Sequence, residues 1–168
     1  LSENISSKID IPPWDNSAMD GFAVIAKDTT LASSQTPITL TVIDSVYAGD
    51  VPKSKISKKT AIRIMTGAPI PDGANAVVPF EQTNETQQKQ LNQQLNSIKI
   101  LKPVKENSFI RFRSEDIKSG DLIFNKGTIL RPSEIGVLAS LGYKKVSVIP
   151  KPKVAIISTG NELTDIGE

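Results

Sequence analysis

Neither cysteine nor histidine occurs among the 168 residues. The first absence excludes disulfides, thiolate zinc sites and cysteine nucleophiles. The second removes the usual general base near neutral pH and the commonest transition-metal ligand. Any bound metal would therefore have oxygen ligands and be a hard ion such as Mg²⁺. No apolar run approaches membrane-spanning length, and no signal-peptide pattern opens the chain, so a cytoplasmic protein that does not bind membranes is expected. An excess of charge of one sign is missing too. The 20 Lys and Arg stand against 18 Asp and Glu, a balance too even for a nucleic-acid or membrane-surface protein. Lysines gather at Lys53, Lys55, Lys58 and Lys59, and again at Lys144, Lys145, Lys151 and Lys153, as solvated edges and loop ends do. What is present, 38% apolar residues, suffices for a core in one domain or a pair of small ones.

Short β-segments divided by turn residues dominate the pattern. Strands are expected over Phe22–Ala26, Ile38–Val46, Ala61–Met65, Ala76–Phe80, Ser97–Val104 and Phe109–Phe112, with Gly, Pro, Asn and Asp between them. Such spacing predicts an all-β lobe, a barrel or a sandwich. The Gln- and Asn-rich stretch Gln82–Ser97 reads as an excursion between two strands, with no function assigned. Further on, Pro132 near a helix start, Glu134 in its first turn and Gly142 as a C-cap predict a helix with Ile135, Leu138 and Ala139 on one apolar stripe. A strand, Lys145–Ile149, should follow. Val154–Thr159 has the β-branched run of a strand buried on both faces of a parallel sheet, ending in a Gly turn as at a first βα junction. With no initiator methionine before Leu1 and an end soon after that strand, the chain reads as a fragment of a longer protein.

Four constellations could carry chemistry. In "PPWDNSAMDG", Asp15, Asn16 and Ser17 are residues whose side chains bond nearby backbone and favour turns, so a stiff double turn and a ligand site are both open. Asp20 differs: Gly21 alone could supply a permissive backbone, leaving the carboxylate at a strand mouth as a ligand or metal contact. In "RIMTGAPIPDGANAVVPFE", Pro69 and Pro71 stiffen a loop carrying Thr66 and Gly67, though without P-loop spacing. A rigid hairpin connection explains the prolines equally well. In "RFRSED", Arg111 and Arg113 share a strand face and could hold a phosphate or carboxylate, or form ion pairs with Glu115 and Asp116. In "STGNEL", Glu162 would lie at the carboxyl edge of a parallel sheet, the usual ligand side.

"PPWDNSAMDGFAV", "RIMTGAPIPDGANAVV", "IRFRSEDI", "ILRPSEIGVLASLG" and "PKVAIISTGNEL" follow one another in that order from Pro12 to Leu163. Together they resemble the MoeA family of molybdopterin molybdenumtransferases, which includes the E domain of gephyrin. The resemblance implies a mixed α/β chain: a β-rich, barrel-like lobe over residues 13–116 and a small α+β linking domain over 1–12 and 117–150. Residues 151–168 would hold the first strand of a truncated α/β molybdopterin-binding domain. It implies insertion of molybdate into adenylylated molybdopterin with release of AMP, dependence on Mg²⁺, a homodimer and contact with a molybdopterin adenylyltransferase. The fragment would be inactive alone, and a non-catalytic, gephyrin-like scaffold is the alternative. Matched residue by residue, Asp20, Thr66 and Glu162 would be catalytic, and Ser17, Arg111 and Asp116 would bind substrate, with the metal ligands undetermined. Asn161, Ser114 and Asn75 depart from the family's pattern, where Asp, Gly and Asp are usual.

Overall fold

The computed structural model describes residues 1–86 and 95–167, which form two compact units. One unit is residues 7–121; the other combines 1–6 with 122–168. The first unit is built on a five-stranded sheet: β3 (Gly21–Val24), β4 (Ile38–Val46), β5 (Thr60–Ile64), β6 (Ala76–Pro79) and β7 (Ser97–Ile100), in the order β6-β3-β5-β4-β7. All pairings are antiparallel except β4 with β5. The sheet curls, and the outer edge of β7 is met by the chain that leaves β6. Leu101 N donates to Gln82 O (2.9 Å), and Lys99 N to the Asn84 side chain (2.8 Å). An edge that would otherwise invite a foreign strand is thus covered. The barrel expectation is met in part, as a curled half-barrel whose end strands β6 and β7 do not pair.

Residues of alternate parity go to opposite faces of a strand. Phe22, Val24, Leu40, Ala61, Ala76, Val78, Ile98 and Ile100 form one buried cluster on one face. Ala23, Ile62, Ile64 and Val77 face the other way, under Ile56 and Ala68 from the connecting loops, with Ile110 packed against them. With both faces covered, β3 and β6 are buried at every position, whereas β4 alternates between more and less exposed residues. Two short antiparallel strands, β2 (Asn16–Ser17) and β8 (Ile110–Arg111), lie outside this sheet.

In the second unit β1 (Ile5–Ser6) pairs with β9 (Leu122–Phe124), and α1 spans Pro132–Ser140. Leu1, Ile5 and Leu138 are its buried centre, against Phe124, Leu130, Tyr143 and Val146. The helix stops as expected. Gly142 has φ +80°, Tyr143 N donates to Leu138 O (2.9 Å) and Gly142 N to Ala139 O (3.0 Å), which is the Schellman arrangement. Its buried stripe is narrower than expected, since Leu138 is the buried residue and Ile135 is exposed.

Two strand expectations fail. Lys145–Ile149 forms no strand: a single bond, Ser2 N to Ser147 O (3.0 Å), ties it down, and one bond is no ladder. Val154–Thr159 forms none either, and Ile156 is 93% exposed. A strand of the kind flanked on both sides has no partner among the described residues, so its sequence preference is not realised. The mixed α/β expectation is therefore met only in part: the described chain is mostly strands, with one α-helix. Half of the Gln82–Ser97 excursion, residues 87–94, lies outside the described residues. No helix among those described is long and apolar enough to cross a membrane.

Candidate functional site

The residues around β2 hold the first unit's candidate side chains. Ser17 N donates to Ala68 O (3.0 Å) and Gly67 N to Ser17 O (2.8 Å), so the loop after β5 runs along one side of β2. Ile70 N donates to Asp15 O (3.0 Å), extending that pairing. On the other side β8 places Arg111 opposite Asn16 and Ile110 opposite Ser17. Prolines at 69 and 71 fit this layout because they give up donors the loop does not need for the pairing.

This arrangement brings Asp20 and Thr66 together. The β3–β5 register sets Gly21 opposite Ile64, so Asp20 and Thr66 leave neighbouring strand ends on the same side of the sheet. Asp20 Oδ1 accepts two hydrogen bonds from Thr66, from its backbone N–H and its hydroxyl, both at 2.8 Å. Both residues are exposed. The result is a carboxylate held in one orientation at a solvent-facing strand mouth, with a hydroxyl beside it.

The other candidates take different places. Ser17 is 1% exposed, and its hydroxyl serves the backbone of Met19, donating to the carbonyl (2.6 Å) and accepting from the N–H (3.3 Å). It shapes the bend that carries Asp20. Arg111 and Asp116 form an exposed ion pair with each other. Arg113 pairs instead with Asp10, Nε to Oδ2 at 2.7 Å, and its N–H donates to Asp15 Oδ1 at 2.8 Å. Glu115 accepts from the Phe112 N–H (2.9 Å). The "RFRSED" stretch is thus an ion-pair and turn network, with Ser114 in the left-handed region at φ +63° where glycine fits best. Glu162 belongs to the second unit, where its carboxylate folds back over Gly160.

Hard oxygen donors fit an ion such as Mg²⁺, but one carboxylate and one hydroxyl are an incomplete set. Among the described residues no group of three or more His, Cys, Asp or Glu gathers to hold a metal. Together the carboxylate and hydroxyl could supply only part of an octahedral oxygen shell. A groove of about 590 Å³ lies elsewhere on the unit, between Lys27, Val104 and Lys105, and contains none of these side chains.

Sequence reasoning missed Arg63 and Glu85. Arg63 is 6% exposed and Glu85 1%, joined from Nε to Oε1 at 2.9 Å. The available signal was a lone cation in "AIRIM", whose neighbours of both parities are apolar.

Comparison with known proteins places this geometry in context. The family model described as the MoeA N-terminal region, domain I and II, matches residues 1–142. The molybdopterin molybdenumtransferase of Staphylococcus aureus strain Mu50 is 43% identical over 168 residues, which are 100% of this chain and 38% of that protein. That of Staphylococcus epidermidis strain RP62A is 43% identical over 166 residues, again 38% of its length. The crystal structure of the molybdopterin biosynthesis MoeA protein from Pyrococcus horikoshii OT3 superposes with a TM-score of 0.77 at 42% identity. That match covers 87% of this chain and 36% of the other. The chain thus spans well under half the length of the relatives it matches.

Proposed function

Since the chain belongs to the MoeA family, spanning its domain I and II region, we propose that it is the β-rich part of an enzyme of molybdenum cofactor biosynthesis. The reaction is insertion of molybdate into adenylylated molybdopterin, with release of AMP. The observation that carries this reading for the chain's own chemistry is the exposed Asp20 carboxylate, oriented by two hydrogen bonds from Thr66.

A bare carboxylate repels phosphate and molybdate, so Asp20 needs a cation between itself and such a substrate. Mg²⁺ held there would neutralise charge on the substrate oxygens and fix their direction. Thr66 keeps one carboxylate oxygen engaged and so limits the orientations open to Asp20. Arg111, now on Asp116, is a guanidinium that can exchange its exposed partner for a substrate phosphate, since an exposed pair is worth only about 1 kcal/mol or less. Ser17 contributes through the bend it builds. Glu162, on the second unit, would contribute a further acid in the full-length protein, for which a homodimer is proposed.

The test is Asp20→Asn in the full-length enzyme, which keeps the side chain's shape and removes its charge. Cofactor formation should fall by about a hundredfold or more, as when an electrostatic contact to the reacting groups is lost. Unchanged turnover rejects the reading. A gephyrin-like scaffold would also show no thermal stabilisation by AMP with Mg²⁺, whereas the enzyme should show it.

A further inference from the structure

The backbone on either side of the Asp20–Thr66 pair converges on one buried guanidinium. Arg63 lies on β5 directly opposite Phe22, with its Cζ 5.3 Å from the ring centre. Its Nη1 donates to Gly21 O (2.9 Å) and to Ile64 O (2.7 Å). Gly21 follows Asp20, and Ile64 stands two residues before Thr66. Each of these stretches is also held from elsewhere. Phe80 N donates to Asp20 O (3.0 Å), and Met65 N to Val46 O (3.2 Å). A planar peptide gripped at both its carbonyl and its amide has little freedom left, and that is the state of the Ile64–Met65 unit. The guanidinium is held in turn by Glu85, which accepts from Nε at 2.9 Å. Glu85 is anchored through its own N–H, which donates to Thr83 Oγ1 (3.1 Å), while that hydroxyl donates to Phe80 O (2.7 Å).

A buried ion pair is weak support for stability, because desolvation offsets much of its attraction. The two carbonyls that satisfy its buried donors lie in the stretches that adjoin Asp20 and Thr66. We propose that Arg63, clamped by Glu85, is a positioning residue: from its place on β5 it fixes the two strand ends that carry Asp20 and Thr66. This rests on the reading of Asp20 given above. A lysine keeps the charge but lacks the flat fork that reaches two carbonyls and a carboxylate together.

Arg63→Lys, with Glu85→Gln as a second variant should the first fail to fold, would be made in the full-length enzyme. Ile98→Val, which trims the same core without touching the clamp, is the control. Two readouts apply: the chemical shift of the Thr66 amide proton, which reports its bond to Asp20, and kcat for cofactor formation. In the clamp variants the Thr66 amide should shift and kcat should fall about tenfold or more with KM little changed, since small misplacements are costly. The control should lower the melting temperature and leave both readouts alone. A Thr66 amide that stays put in the clamp variants, or moves equally in the control, overturns the proposal and leaves the reading of Asp20 standing. A shifted amide with full turnover, while Asp20→Asn is dead, also overturns it. If Asp20→Asn is active as well, it is the functional reading that fails.

Discussion

Asp10 Oδ1 accepts from the Ser119 N–H at 2.9 Å, and Oδ2 from Arg113 Nε at 2.7 Å. The backbone bond first, and then the guanidinium, hold its carboxyl below the ordinary value of 3.8. The sign follows from proton counting. Because the folded state binds the proton less readily than the unfolded one, the contribution to stability is complete above 3.8. It drains away as the pH falls through the lower folded value. Urea midpoints measured from neutral pH down through this window should therefore fall, and Asp10→Asn should show a shallower decline. Equal slopes would mean the bonds to Ser119 and Arg113 do not favour the ionised form. At this same scale the sequence made single residues visible and their partners invisible. Asp20 stood out because Gly21 already accounts for the backbone, and Thr66 because of the stiff loop around it. That they meet depends on the β3–β5 register, which no local pattern encodes. Arg113 illustrates the converse, since its partner Asp10 is distant in sequence and nothing near "RFRSED" points to it.

Gly21 sets how closely two strands approach. A Cβ built there would lie 2.0 Å from Val78 O on β6, a backbone atom that cannot move aside. Gly21→Ala should therefore cost roughly 3 kcal/mol, at the upper end for overpacking, read as a drop in the urea midpoint. A near-neutral effect would show that β6 can swing away from β3. Elements were legible where their signals are local. β4 runs over Ile38–Val46 as its β-branched alternation predicts, and α1 lies between Pro132 and Gly142, which act at its two ends whatever the rest of the fold does. Strands that exist only through distant pairing were not legible. Asn16–Ser17 carries turn-forming residues, yet it is drawn into a ladder by Ile110 and Arg111. Lys145–Ile149 and Val154–Thr159 err the other way: their composition suits a strand, but a strand needs a neighbour.

For the molecule as a whole, residues 152–167 are exposed, and they include Val154, Ile156, Ile157 and Ile166. Removing residues 151–168 should leave the far-UV circular dichroism and urea midpoint of the remainder unchanged. Binding of a hydrophobic dye such as ANS should fall. A lowered midpoint would show that this stretch supports the fold. The curled sheet itself contains one pairing unlike the rest, β4 alongside β5 in parallel. No tight turn can zip such strands together. Residues 47–59 must first carry the chain back to the starting end of β4, at an entropic cost met before any contact is gained. Yet every other pairing in the sheet closes a longer stretch of chain, β3 with β5 and β6 and β4 with β7. On refolding, β4 and β5 should therefore pair early, and the antiparallel ladders should complete the sheet last.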